Sequence, residues 1–405
     1  MNFVCRSCGS KNIREILDLG DQPWGNDFIK IEKNETNQKY PLKFVICESC
    51  KMSQINYTIP KERMFKNHSY MSGTTKTLGL HFSNISDQIL EKFPLKENAY
   101  VLDIGGNDGT FLENFKKKNI KVLNVDSGVQ QSILSNKKGI ECINDYFNEE
   151  LASKILKERG QASIIHGSGI FFHLEELSSA FKGIKKLLKK DGVLVAEFID
   201  LKSMMQNVAF DQIYHEHLLY YSLNTLNHML ITYDLEIFDA QLYNIHGGSC
   251  VAYIKHKESK FEQTSNCKYL MQEEINYGIL KYEPYENFAK KVQSFKIEIL
   301  NLLKKLKSQG KTICALGAPV KGSTMINYLK LERDLLDCAV EINPYKFDTF
   351  YPGTKIPVVD QSKILDPNYY FILSWNFQEE IISKMSKFID GGGKFITPFP
   401  NIKVI

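Results

Sequence analysis

Tyr100-Val101-Leu102-Asp103-Ile104-Gly105-Gly106-Asn107-Asp108-Gly109 is the stretch on which the fold turns. Its first half is a short apolar run of strand-forming residues that reads as a buried parallel strand. The glycines then make a tight turn, and Phe111, Leu112 and Phe115 fall at helical spacing, so a strand–turn–helix unit is expected. Val122–Asp126 reads as the second strand and ends in an acid 21 residues after Gly105. In doubly wound folds a carboxylate at that place accepts hydrogen bonds from ribose hydroxyls. Further strands are expected at Ala162–Gly167 and Val193–Glu197, joined by a helix around Ala180–Leu188. Such a βαβα alternation predicts a parallel sheet with its ligand at the carboxyl ends of the strands. The turn lacks the third glycine of Gly-x-Gly-x-x-Gly. Gly105-Gly106-Asn107-Asp108-Gly109 suits S-adenosylmethionine better than a dinucleotide, because that cofactor has no pyrophosphate for a helix N-terminus to hold. Without Asp126, the same turn would read as an ordinary strand–helix connection.

Downstream, residues 266 to 308 are helical in period and rich in lysine, and read as a bridge. A second αβ unit begins at Thr312–Gly317, with the loop Ala318-Pro319-Val320-Lys321-Gly322-Ser323 and a helix over Thr324–Leu331. Strands at Leu336–Glu341, Tyr370–Leu373 and Lys394–Thr397 complete a second doubly wound domain. Lys321, beside a helix N-terminus, could hold a phosphate of a nucleotide-linked substrate. Its spacing fits a surface lysine in a connecting loop equally well.

Upstream, Cys5-Arg6-Ser7-Cys8-Gly9 and Cys47-Glu48-Ser49-Cys50 are separated by 38 residues. Each Cys-x-x-Cys turn points two thiolates at one Zn²⁺, and two turns complete a tetrahedron. Cys5, Cys8, Cys47 and Cys50 are therefore expected to close a structural zinc site with no open position for catalysis. A redox dithiol would use one such pair beside a strand–helix unit, and a nucleic-acid ribbon would show more basic and aromatic neighbours. The expected organisation is α/β: a zinc-binding module over 1–70, then two doubly wound parallel-sheet, Rossmann-like domains over 71–265 and 266–405, the second including the helical bridge.

Composition sets outer limits. The 405 residues are 43% hydrophobic and 24% charged, with a net charge of +4, as in ordinary soluble globular proteins. Lysine runs such as Lys116-Lys117-Lys118 and Lys185-Lys186 fall at expected helix ends, where they complement the helix dipole; no nucleic acid is expected as a partner. No apolar run approaches twenty residues, and Met1-Asn2-Phe3-Val4-Cys5 lacks a signal-peptide layout, so neither a membrane span nor secretion is expected. Nine cysteines, four of them in the two pairs, fit a reduced cytoplasm.

The segment Ile213-Tyr214-His215-Glu216-His217 concentrates proton-handling groups: a base, an acid and an orienter in five residues. His215 and His217, two apart, would share a face on a strand and could ligate a metal. The His-Glu-x-x-His helix pattern of zinc enzymes is absent. Neighbours on a strand point to opposite sides, so if Glu216 and His217 act together a loop must present them.

Taken in order, these motifs resemble the nucleotide-sugar C-methyltransferases that build branched deoxysugars. The resemblance runs from Cys5–Gly9 and Leu17-Asp18-Leu19-Gly20-Asp21-Gln22-Pro23 through His68-Ser69-Tyr70-Met71-Ser72, the glycine turn and Tyr214–His217. It continues through His246-Gly247-Gly248-Ser249, Gly317–Gly322, Asn343-Pro344-Tyr345-Lys346, Ser374-Trp375-Asn376 and Gly392–Ile396. Two places depart from the family pattern. Gly106 stands where the family usually has Ser, and His166-Gly167-Ser168 replaces an Asn, although His173 keeps the family histidine.

The resemblance implies a zinc module, an S-adenosylmethionine domain and a C-terminal domain like the second but without cofactor. Thymidine-diphosphate 4-keto deoxysugars would be held between them, in a monomer. It places His217 and Tyr214 as the base, with Glu216 as orienter or sugar contact and Tyr70 and His173 facing the sugar. Of the two, His217 is put first, because a base with a pKa near working pH is preferred. Gly105, Asn107, Asp108, Asp126, Asp145, Tyr146 and His166 are candidates for the cofactor, and Ser72, His246, Ser249 and Lys321 for the substrate. The chemistry would be proton removal beside the 4-keto group, then attack of the enolate carbon, C3 favoured over C5, on the cofactor methyl. Competing readings are an O- or N-methyltransferase acting on a nucleotide sugar, and a zinc-ribbon binding protein with inert doubly wound domains.

Overall fold

The computed structural model describes residues 3–33, 35–65, 71–74 and 76–405, without the side chains of Phe65 and Thr74. Three sheets organise the described residues. The central one has seven strands in the order Leu235–Tyr243, Ser249–His256, Leu188–Ile199, Ala162–Ser168, Tyr100–Ile104, Lys121–Val125 and Cys142–Ile143. Tyr100–Ile104 is buried along its whole length, as a strand covered by helices on both faces must be. The expected parallel arrangement holds except for Ser249–His256, which runs antiparallel to both neighbours. The reason is connection length. Only residues 244–248 join Tyr243 to Ser249, whereas a parallel crossover needs a dozen or more. His246, Gly247 and Gly248 all take positive φ there, which reverses the chain in a few residues.

The turn after Tyr100–Ile104 is built from left-handed backbone at Gly105 (φ 68°) and Asn107 (φ 52°), residues that tolerate that region. A Cβ on Gly106 would stand 2.3 Å from Asn124 Oδ1 and 2.6 Å from Asp103 Oδ2. The polar groups packed beneath the turn thus leave no room for a side chain at Gly106.

The C-terminal sheet has five parallel strands in the order Lys394–Thr397, Tyr369–Ile372, Ile313–Leu316, Cys338–Glu341 and Pro357–Asp360. Short antiparallel strands extend both edges, and the last on one side, Ile29–Lys30, comes from the N-terminal region. The region read as a helical bridge is two helices, Ser265–Tyr277 and Glu283–Ser308, broken at Gly278 with φ 86°. The longer one buries Tyr285, Phe288, Val292, Phe295, Ile299, Leu303 and Leu306, in steps of three or four residues that make one apolar stripe.

The N-terminal sheet pairs Ile13–Pro23, Lys39–Cys47 and Ser53–Ile55, and its fourth strand is Leu219–Tyr220 from the central region. That strand directly follows the Tyr214–His217 segment, which is a turn and not a strand. His215 leaves the segment toward the N-terminal module, with its ring against Tyr40 and Tyr57 and Nε2 3.2 Å from the Pro41 carbonyl oxygen. His215 and His217 thus do not share a face. Among the described residues only the four cysteines form a cluster able to hold a metal.

Candidate active site and metal centre

At the metal centre, Cys5 and Cys50 place their sulfurs 3.6 Å apart, and so do Cys8 and Cys47. All four sulfurs lie within 4.8 Å of one another. A tetrahedron of Zn–S bonds has edges of about 3.8 Å, so the set fits Zn²⁺ as it stands. Gly9 (φ 73°) and Lys51 (φ 61°) give both knuckles the same left-handed step. Gly9 N–H donates to the Cys5 carbonyl and Lys51 N–H to that of Cys47. Gln54 Nε2 also donates to Cys5 Sγ at 3.2 Å, helping to compensate thiolate charge. With four protein sulfurs the shell is closed, and the zinc is structural.

A cavity of 440 Å³ opens at the carboxyl ends of the central strands and is walled on its far side by the C-terminal domain. Gly105, Asn107, Asp126, Asp145 and Tyr146 line one part of it. The Asp126 carboxylate accepts from Asn107 N–H at 2.9 Å and Gly128 N–H at 2.8 Å, one bond to each oxygen. Burial raises this acid to about 6, with those two N–H groups pulling it down and the charges of Asp103 and Asp108 pushing it up. Each oxygen keeps a lone pair for a vicinal diol. Leu78, Phe82, Phe147, Ile170 and Phe172 add apolar wall around these groups. The mixture suits a nucleoside with a charged tail, and S-adenosylmethionine is one.

Two cofactor candidates lie off this wall. His166 turns into the core, where Nδ1 meets Asp103 Oδ1 at 2.7 Å and the ring stacks on Phe111 at 3.6 Å. Asp108 bonds Gly73 N–H at 3.2 Å and pairs with Lys138 at 3.2 Å, so it fastens the turn instead. Asn107 helps in this, its Oδ1 accepting from Ser72 N–H at 3.0 Å. Tyr70 lies outside the described residues.

The wall also holds His173, Tyr214, Glu216, His217, His246, Ser249 and Lys321, and Ser72 lines it beside the glycine turn through its bond to Asn107. His217 is buried, and its Nδ1–H donates to the Gln212 carbonyl at 3.0 Å. That bond fixes the neutral tautomer, with the lone pair on Nε2. Burial holds its pKa well below the ordinary histidine value, and the neighbouring His173, His246 and Lys321 act in the same direction against the Gln212 carbonyl. The Tyr214 ring lies 4.0 Å from that of His217. His173 Nδ1 bonds the Glu216 carbonyl. The Glu216 side chain accepts from Trp24 Nε1 at 2.7 Å and Asn26 Nδ2 at 3.0 Å, reaching across to the N-terminal region. Burial raises the Glu216 acid, opposed by those two donors and by Lys346.

Lys321 sits in the first turn of the helix Val320–Leu329, its ammonium bonded to Asn376 Oδ1 and 4.2 Å above the Trp375 ring. Desolvation lowers it to about 8, with buried Asp211 pulling the other way. Trp375 Nε1 donates to Asp211 Oδ2 at 2.7 Å, so the cation, the ring and the acid form one unit.

Sequence reasoning missed Gln212, Asn26 and Glu197, all wall residues. Glu197 left a signal, an acid inside the apolar run Val193-Leu194-Val195-Ala196-Glu197-Phe198. The other two left none, because their contacts are made only by the fold.

A doubly wound domain with this wall defines an S-adenosylmethionine-dependent methyltransferase, here joined to a structural zinc module. Three family models span nearly the whole chain: a putative zinc binding domain over 5–65, a methyltransferase domain over 80–240 and a C-methyltransferase C-terminal domain over 244–400. The chain belongs to the C-methyltransferase family they describe. It is 27% identical over 404 residues to the C-methyltransferase NovU of Streptomyces niveus, covering 99% of this chain and 96% of that protein. Solved structures similar to it include a SAM-dependent methyltransferase from Anabaena variabilis ATCC 29413, with 16% identity, 44% of this chain, 85% of that one and a TM-score of 0.35. Another is an S-adenosylmethionine-dependent methyltransferase from Clostridium acetobutylicum ATCC 824, with 15% identity, 43% and 90% coverage and a TM-score of 0.35. Carbon methylation sets aside both the O- or N-methyltransferase and the inert zinc-ribbon readings. No helix among the described residues is long and apolar enough to cross a membrane.

Proposed function

We propose that the enzyme methylates a ring carbon, C3 in preference to C5, of a nucleotide-linked 4-keto deoxysugar, with thymidine diphosphate as the favoured carrier. The observation that carries this reading is His217: a neutral imidazole on the cavity wall, its Nδ1 committed to Gln212 and its Nε2 lone pair left for a proton. Carbon becomes nucleophilic only when a proton beside a carbonyl is removed, so a positioned base is what the reaction requires. S-adenosylmethionine, when bound, supplies an electrophilic methyl group on a sulfonium. His217 takes the ring proton, and the electron pair of that C–H bond moves toward the keto oxygen. Tyr214, its ring tilted against that of His217, donates to that oxygen as charge develops on it. Glu216, held by Trp24 and Asn26, fixes the segment that carries both residues. Lys321 supplies positive charge on the far wall, where a diphosphate or the enolate oxygen can be met.

The test is to incubate the enzyme with S-adenosylmethionine and a panel of 4-keto nucleotide sugars deuterated at C3 or C5. A mass gain of one methyl with loss of the ring deuterium is the expected outcome. Methyl gain with the deuterium retained at both carbons would overturn the reading.

A further inference from the structure

Glu197 lies near the end of the strand Leu188–Ile199, is 3% exposed and lines the cavity. His81 Nε2–H donates to Oε1 at 2.7 Å, and Ser168 Oγ–H donates to Oε2 at 2.8 Å. The two donors fix the carboxylate plane from different elements, the helix Lys76–Lys92 and the neighbouring strand. A buried carboxylate is costly unless its charge is met, and among the described residues no lysine or arginine pairs with Glu197. Burial alone would raise this acid, yet the hydrogen bond and charge of His81, with His246 and Ser168, hold it low. The site is thus built to keep an anion at the cavity wall.

Of the other wall acids, Asp145 accepts from the Tyr146 N–H at 2.8 Å beside the ribose-facing Asp126, and the rest are engaged elsewhere. Asp126 is held by the glycine turn, Glu216 by Trp24 and Asn26, and Glu175 and Glu176 by Lys61. Glu197 is also placed near the glycine turn. It pairs across the sheet with Ser168, two residues before Ile170, and the Ile170 side chain closes against Gly105. A ligand whose ribose is held at Asp126 and whose tail runs past Gly105 brings that tail toward Glu197.

We propose that Glu197, aimed by His81 and Ser168, is the counter-charge for a cationic group at the methionine end of the cofactor. This rests on the cofactor assignment. Two cations reside at that end, the sulfonium and the α-ammonium, and a carboxylate with a free lone pair on each oxygen can take either. Pairing with the sulfonium would also favour the cofactor over its neutral thioether product, and so would help product leave.

The experiment is calorimetric titration of S-adenosylmethionine and, separately, S-adenosylhomocysteine into wild type and Glu197→Gln, with no methyl acceptor present. A charge-assisted hydrogen bond is worth about tenfold to a hundredfold in affinity, which sets the expected loss for S-adenosylmethionine. Loss for S-adenosylmethionine alone assigns the sulfonium, and equal loss for both ligands assigns the α-ammonium. Unchanged affinity for both overturns the proposal. Wild type failing to bind S-adenosylmethionine would instead refute the cofactor assignment. Should Glu197→Gln not fold, Ser168→Ala keeps the charge and removes one of the two bonds that aim it. A loss of about threefold for S-adenosylmethionine is then expected, and none would overturn the proposal.

Discussion

His217 is subject to two opposing demands. Its burial keeps the imidazole neutral and ready to accept a proton, but the same burial destabilises the imidazolium that acceptance creates. The developing enolate charge beside it can offset that cost, so His217 acts as a base only in a loaded site. Replacing His217 by Asn keeps a polar side chain and removes the titrating group. Turnover should then fall by about 10² to 10⁴ with little change in KM, the loss belonging to the transition state. Tyr214→Phe should cost less. Exchange of the ring proton with deuterated solvent, measured with S-adenosylhomocysteine bound, separates the two: wild-type exchange in His217→Asn with none in Tyr214→Phe would make Tyr214 the base. The pH profile follows from the same groups. Protonating His217 removes the base, and its pKa lies well below the usual histidine range, so the acid limb of kcat/KM should lie well below pH 6.5. Lys321, at about 8, loses its charge as pH rises, so an alkaline limb near pH 8 is expected. Lys321→Gln should be slow and show no such limb; a limb of unchanged position in that variant would assign it to another group.

At the scale of elements, the turn between Tyr100–Ile104 and its helix is packed from below by Asn124 and Asp103. Asn124 Nδ2 donates to the Asn107 carbonyl at 2.9 Å, and Oδ1 of the same amide occupies the space a Gly106 side chain would need. Gly106→Ala should therefore destabilise by about 1–3 kcal/mol through overpacking. Adding Asn124→Ala should recover part of that loss, a coupling that urea denaturation of the double-mutant cycle measures; strictly additive effects would show that the two do not compete for space. From the same turn, Asp126→Ala should weaken S-adenosylmethionine binding by leaving two ribose hydroxyls without an acceptor, and calorimetry giving wild-type affinity would remove the ribose assignment. These elements were legible because strands buried on both faces are written as short apolar runs, as in Tyr369–Ile372 and, apart from Asp103, in Tyr100–Ile104. The hairpin Leu235–His256 was not, because its direction is set by a short left-handed turn and not by periodicity. The site was legible where its residues are contiguous, as at Tyr214, Glu216 and His217. It was illegible where partners lie far apart: Trp24 reaches Glu216 across 192 positions, and Glu197 gains its meaning from His81, 116 positions away. His166 shows the opposite error, a strand-end residue that turns inward because Asp103 and Phe111 give it a buried partner on each side.

At the scale of the molecule, the regions are stitched together by backbone. Leu219–Tyr220 completes the zinc module's sheet, and Ile29–Lys30 from the N-terminal region extends the C-terminal sheet. The segment carrying Tyr214, Glu216 and His217 is thereby tied on one side to the module that the four cysteines close. Its Glu216 is held by Trp24 and Asn26, which follow directly on the module's first strand, Ile13–Pro23. Zinc should accordingly matter to catalysis without touching substrate. Elemental analysis is expected to give one zinc per chain, and Cys47→Ser to lose metal and soluble yield together, because structural zinc supplies folding free energy. A graded version uses wild type and a strong chelator. As zinc leaves, turnover should fall while S-adenosylmethionine affinity changes less, since Gly105, Asn107, Asp126 and Glu197 all lie on the central sheet or its turns. Loss of the Tyr214–His217 geometry ahead of the cofactor site is the expected order, read by comparing turnover with calorimetric cofactor binding at each zinc occupancy. Full turnover in zinc-free protein would show that the paired cysteines do not hold the site together, and the coupling through Leu219–Tyr220 would have to be abandoned.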